Sequence, residues 1–103
     1  MSAKAIEGLK PELLWKQFYE LSQVTRPSKR EQKAVEFVKE FAKKNNFNFK
    51  EDKVGNVVIT IPATKGKEKS PTIVLQGHVD MVCEMNKGTK HNFDKDPIKL
   101  IKT

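Results

Sequence analysis

The stretch Thr72-Ile73-Val74-Leu75-Gln76-Gly77-His78-Val79-Asp80-Met81-Val82 sets the reading of this chain. Ile73, Val74 and Leu75 are apolar in succession rather than in alternation, which is the pattern of a central strand buried on both faces. Gly77 follows, then a histidine and an aspartate two residues apart. Side chains alternate along a strand, so His78 and Asp80 are predicted to project from one face near the strand's C-terminal end. In open α/β sheets ligands bind at that end. Gly77 lets backbone or ligand come close with no side chain between. A neutral imidazole binds zinc through one nitrogen, and a carboxylate on its other N–H fixes the tautomer and raises its basicity. The plainer alternative is a structural hydrogen bond between the two side chains, and these residues alone leave both readings open.

Upstream, the apolar rhythm is helical. Pro11 suits the first turn of a helix, and Leu14, Trp15, Phe18 and Leu21 recur at spacings of three and four, predicting a helix over 11–22. Thr25-Arg26-Pro27 interrupts it, because the residue before a proline is pushed out of helical geometry. Ser28 and Glu31 have the spacing of a capping box. A second helix is expected from Lys29 to about Asn45, burying Ala34, Phe37, Val38, Phe41 and Ala42. Beyond Asn46 the period changes to two. Phe47 and Phe49 mark one strand, Asp52 to Asn56 a turn, and Val57, Ile59 and Ile61 one face of a second strand. Residues 62–71 read as a polar surface loop. Trp15 and the phenylalanines fall on these periods and are expected in the core.

Downstream, residues 83–97 are polar, aperiodic and too long for an ordinary connection. Ile98-Lys99-Leu100-Ile101 looks like another element starting with no stop signal, so the chain reads as cut short. Two helices followed by three strands predict part of an α/β sandwich.

Composition narrows the function. The 103 residues make one small domain. No apolar run reaches the ~18 residues of a membrane span, and the opening Met1-Ser2-Ala3-Lys4-Ala5-Ile6-Glu7 lacks the apolar stretch of a secretory signal. Cys83 is the lone cysteine, so no internal disulfide forms. A reducing, cytoplasmic setting is expected. The charge is +7, from 20 basic and 13 acidic residues. Only Arg26 and Arg30 are arginines, and the lysines are scattered beside acidic residues. Phosphate and base readers use clustered arginine forks and aromatics instead, so no nucleic-acid partner and no membrane partner is expected.

The string Gln76-Gly77-His78-Val79-Asp80-Met81-Val82-Cys83-Glu84, followed by His91-Asn92-Phe93-Asp94-Lys95-Asp96-Pro97-Ile98, resembles the aminoacyl-histidine dipeptidases (Xaa-His dipeptidases). Gly8-Leu9-Lys10-Pro11, Trp15, Phe18, Arg26-Pro27-Ser28 and Glu31 are similar to the opening of that branch. These enzymes belong to the bacterial two-metal zinc exopeptidases, whose wider family shares the apolar strand and the Gly-His-x-Asp core. Thr25 and Asn92 depart from the branch's common residues, outside the metal motif. The resemblance implies an α/β fold, the N-terminal portion of a three-layer zinc-exopeptidase-like catalytic domain with two helices on a mixed, incomplete sheet. It implies His78 as ligand to one metal and Asp80 as the active-site residue orienting it. Two divalent ions, zinc by preference, and a short peptide substrate follow, with the bridging aspartate, general-base glutamate and other ligands beyond Thr103. On this reading the chain alone is an inactive piece of a metallodipeptidase, and exposed sheet edges favour self-association. The rivals are a related deacylase or tripeptidase and a basic binding module.

The other candidates have plainer readings. Cys83 lacks the base and oxyanion site of a nucleophile. His91 and Glu84 read as loop surface, and Asp94 and Asp96 lack the glycine and terminal glutamate of a calcium loop.

Overall fold

The computed structural model describes residues 2–103. A 3-10 turn, Ser2–Ile6, leads to helix α1, Glu12–Ser22, and helix α2, Gln32–Lys44. An antiparallel hairpin of β1, Asn48–Glu51, and β2, Val57–Thr60, follows. No helix among the described residues is long and apolar enough to cross a membrane.

Helix α1 starts where the proline predicts. Pro11 has extended backbone at the N-cap, and its missing N–H falls among groups that lack an intrahelical partner in any case. The rings of Trp15 and Phe18 meet edge to face, with centroids 5.7 Å apart. Helix α2 begins later than expected, at Gln32, and its N-cap residue Glu31 makes no side-chain cap. The capping box of Ser28 and Glu31 is not formed. Instead the Arg30 N–H donates to the Pro27 carbonyl at 2.8 Å, closing a tight turn in which Lys29 has φ +71°. That turn carries Ser28 away from the helix end.

The C-terminus of α2 fixes how the chain enters the sheet. Asn46 takes a left-handed conformation, φ +56°, which its short amide side chain tolerates better than most. The Asn46 N–H then reaches the Lys43 carbonyl at 3.1 Å and the Phe47 N–H the Ala42 carbonyl at 2.9 Å. This is a Schellman closure, with its usual apolar contact supplied by Phe47 against Phe41, ring centroids 6.4 Å apart. Lys39 ties α2 to β1, donating to Glu36 at 2.8 Å and to Glu51 at 2.9 Å. Those hydrogen bonds, Glu36's first, push the Lys39 pKa above its ordinary value. In the hairpin, Phe49 pairs with Ile59 and Glu51 with Val57. Phe49, Val57 and Ile59 are half-buried, while Lys50, Val58 and Thr60 are exposed, so the predicted alternation holds within the hairpin, but Ile61 falls outside β2 and is 64% exposed. The Asp52 carboxylate organises the turn by accepting the Val54 and Asn56 N–H groups at 3.0 and 2.9 Å.

The predicted third strand is corrected. Ile73, Val74 and Leu75 lie in no strand and are 83%, 82% and 92% exposed. A strand apolar on both faces needs hydrogen-bonding neighbours at its edges and a layer over each face, and among the described residues β1 and β2 pair only with each other. The expected core is corrected as well. Among the described residues the buried hydrophobic side chains are Ala34, Val35 and Ala42, while Phe18 is 50% exposed and Trp15 half-buried. The Cα radius of gyration is 16.4 Å, against about 13 Å for a compact chain of similar length. What remains is an incomplete α/β arrangement, with α2 packed on a two-stranded sheet.

The Asn46 closure gives a test. Asn46→Val forces a β-branched residue into the left-handed region and should cost about 1–2 kcal/mol of stability, whereas Asn46→Gly should be close to neutral. Urea unfolding followed by circular dichroism separates the two variants.

Candidate functional site

No strand carries the histidine and aspartate. Two short stretches of irregular chain hold them by facing one another. The Met81 N–H donates to the Arg26 carbonyl at 2.8 Å, and Pro27 and Met81 form an isolated parallel bridge. Pro27 is buried there. The Ser28 hydroxyl donates to Asp80 Oδ2 at 2.5 Å, and a longer contact of 3.5 Å joins the Arg26 guanidinium to the Val79 carbonyl. His78 Nδ1 lies 2.8 Å from Asp80 Oδ1. The structure therefore brings His78 and Asp80 into contact as the sequence predicts, in irregular chain rather than on a strand.

The chemistry of the pair follows from who can donate. An ionised carboxylate only accepts, so the hydrogen-bond network assigns the proton to Nδ1 and leaves Nε2 its lone pair. The ring is 81% exposed and the Asp80 side chain 36%. Asp80 is held below the usual aspartate range, first by the Ser28 hydroxyl and then by His78. Both side chains border a cleft of about 370 Å³ between the start of α2 and the hairpin turn, with Glu31, Val35 and Val57 opposite. Glu31 Oε2 is buried in that wall with no hydrogen-bond partner among the described residues, and Arg26 Nε is likewise unpartnered.

This donor set fits one arm of a metal site. Held zinc needs three or four protein ligands, and no cluster of three His, Cys, Asp or Glu side chains converges among the described residues. His78 Nε2 is a ready donor with its partner already in place. Glu31 lines the same cleft with an unpartnered Oε2, and Asp94 and Asp96 are occupied elsewhere. Asp94 pairs with Arg30 at 2.8 Å, and Asp96 accepts the Asn92 N–H at 2.7 Å. His91 packs edge-on against Phe93, while Cys83 and Glu84 are exposed. Ser28 is the residue that sequence reasoning gave another task. Its spacing to Glu31 signals a cap, and no local signal points to an aspartate 52 residues away.

No protein-family model matches the chain. Over 94 residues it is 41% identical to the cytosol non-specific dipeptidase of Escherichia coli strain K12, covering 91% of this chain and 19% of that protein. A crystal structure of aminoacylhistidine dipeptidase from Vibrio alginolyticus matches with a TM-score of 0.85 and 39% identity, over 90% of this chain and 19% of that one. The resemblance carried by residues 76–84 and 91–98 is thus borne out along nearly the whole chain. The chain spans about a fifth of the length of the relatives it matches.

The Asp80 shift has a definite sign. A carboxylate whose folded pKa is depressed contributes stability above its unfolded value, and that contribution is lost as pH falls through the folded pKa. The Asp80 carboxyl carbon should titrate below the reference value of 3.8, and the Met81 amide shift should move with it. A carboxyl midpoint at or above the reference, followed by carbon-13 NMR, contradicts the hold of Ser28 and His78 on Asp80.

Proposed function

We propose that this chain supplies the histidine arm of a metal centre in a cytosolic dipeptidase that cleaves dipeptides ending in histidine. The single observation that carries the reading is the His78–Asp80 contact of 2.8 Å, in a chain similar to dipeptidases over nine-tenths of its length. His78 binds one divalent cation through Nε2. Asp80 holds the imidazole in the tautomer that makes this possible and, as an anion, raises its donor strength. When bound, a pair of divalent ions, zinc by preference, polarises the peptide carbonyl and yields a water acidic enough to attack near neutral pH. The other ligands and the general base come from outside residues 1–103. The setting is cytosolic, in keeping with the printed name of the Escherichia coli relative.

That relative's name also favours a second reading, in which the enzyme takes dipeptides without regard to the C-terminal residue. A panel of dipeptides with and without C-terminal histidine decides between them. A preference in kcat/KM for histidine supports the first reading, and equal values support the second.

Three outcomes are expected. In the complete enzyme His78→Ala should strip one metal site, since a ligand nitrogen is lost. Asp80→Asn should lower metal affinity or turnover about 10- to 100-fold, and wild-type metal content and turnover in Asp80→Asn would remove Asp80 from this role. The 103-residue chain alone should neither hydrolyse a histidine dipeptide in added zinc nor bind zinc tightly in a calorimetric titration, because a single imidazole does not make a closed site.

A further inference from the structure

We infer that Ser28 is a positioning residue for the His78 ring, its hydroxyl fixing Asp80 so that the other carboxylate oxygen holds Nδ1–H and Nε2 stays the free donor. The inference rests on the role proposed for the His78–Asp80 pair. A lone aspartate is a poor guide for an exposed imidazole. The terminal torsion of an aspartate is broad and roughly two-fold, so a carboxylate with one contact exchanges its oxygens and swings. Here each oxygen has its own partner. Oδ1 faces His78 Nδ1 at 2.8 Å, and Oδ2 accepts the Ser28 hydroxyl at 2.5 Å. Rotating the carboxylate now breaks a short, charge-assisted hydrogen bond.

Ser28 suits the task because it is itself held. It sits in the turn closed by the Arg30 N–H on the Pro27 carbonyl. Its neighbour Pro27 is buried and bridged to Met81. On its other side Lys29 has φ +71°, a backbone region that a lysine adopts only where its surroundings impose it. The Arg26–Met81 hydrogen bond holds the opposite strand of chain in place, so Ser28 and Asp80 meet across a pairing fixed independently of either side chain. The ring has little else to orient it. It is 81% exposed, and Asp80 is its hydrogen-bond partner among the described residues. A capping role, the plainer assignment for this serine, is unfilled.

The test reads the tautomer directly, in the 103-residue chain, by long-range nitrogen–proton NMR of the His78 ring at a pH where an ordinary imidazole is neutral. Wild-type chain should show Nδ1 protonated and Nε2 unprotonated. Ser28→Ala should bring the two nitrogen shifts together, the mark of exchanging tautomers, and Ser28→Thr, which keeps the hydroxyl, should restore the wild-type pattern. The amide spectrum of α2 and the hairpin reports whether the fold is intact in each variant. Unchanged ring shifts in Ser28→Ala overturn the inference, as does their loss in Ser28→Thr with the amides unaltered. The metal content of His78→Ala in the complete enzyme addresses the underlying proposal. Loss of one metal ion there upholds that proposal even where Ser28→Ala has no effect, and wild-type metal content removes the metal role while leaving the Ser28 result to stand on the tautomer.

Discussion

The amide of Met81 donates to the carbonyl of Arg26, and the placement of the chain after the hairpin depends on that contact and its neighbours. Segments outside helices and strands still have backbone groups that need partners. Here the connection between α1 and α2 supplies them. The Ile98 N–H goes to the Ser22 carbonyl at 3.1 Å, Gln23 donates to the Ile98 carbonyl at 3.3 Å, and Thr25 to the Asp94 carbonyl at 3.2 Å. Arg30 adds its ion pair to Asp94. A few residues between two helices thus organise the C-terminal third of the molecule. The break at Pro27 makes this work, because a continuous helix would have spent the same carbonyls on its own N–H groups.

Polar tethers of this kind hold differently from a packed core. Each net hydrogen bond contributes about 0.5–1.5 kcal/mol, and those at the surface compete with water. Apolar burial in this chain is concentrated on α2, at Ala34, Val35 and Ala42. The histidine and aspartate lie on the polar side of that division. Local stability should therefore differ sharply between the helix–hairpin unit and the segment that bears the pair.

The helices and the hairpin were legible because their signals are local. A proline at the helix start, apolar spacing of three and four, and alternation around an aspartate turn each act within a few residues. The pairing of His78 with Asp80 is legible from their separation of two residues, although the chain there is irregular rather than a strand. Ile73, Val74 and Leu75 misled because periodicity records which faces call for cover and says nothing of whether the chain provides it. The serine misled in a more instructive way. Ser28 and Glu31 satisfy a short-range rule, and a carboxylate brought in by backbone pairing from a distant stretch outcompeted it. Competition between a local motif and a remote partner is settled by tertiary geometry, which a one-dimensional pattern does not contain.

The separation in sequence between Arg26 and Ser28 on one side and Val79 and Asp80 on the other also orders events in time. The contacts of Arg26 with Val79 and of Ser28 with Asp80 span 53 and 52 residues, and the entropy of closing a loop grows with its length. Helices and hairpins form within microseconds, shortening the flexible path before the ends need to meet. Residues 61–78, which belong to no helix or strand, are left as the slack to be taken up. Loop closure of this length puts the docking of Val79 and Asp80 onto Arg26 and Ser28 after the formation of the helices and hairpin.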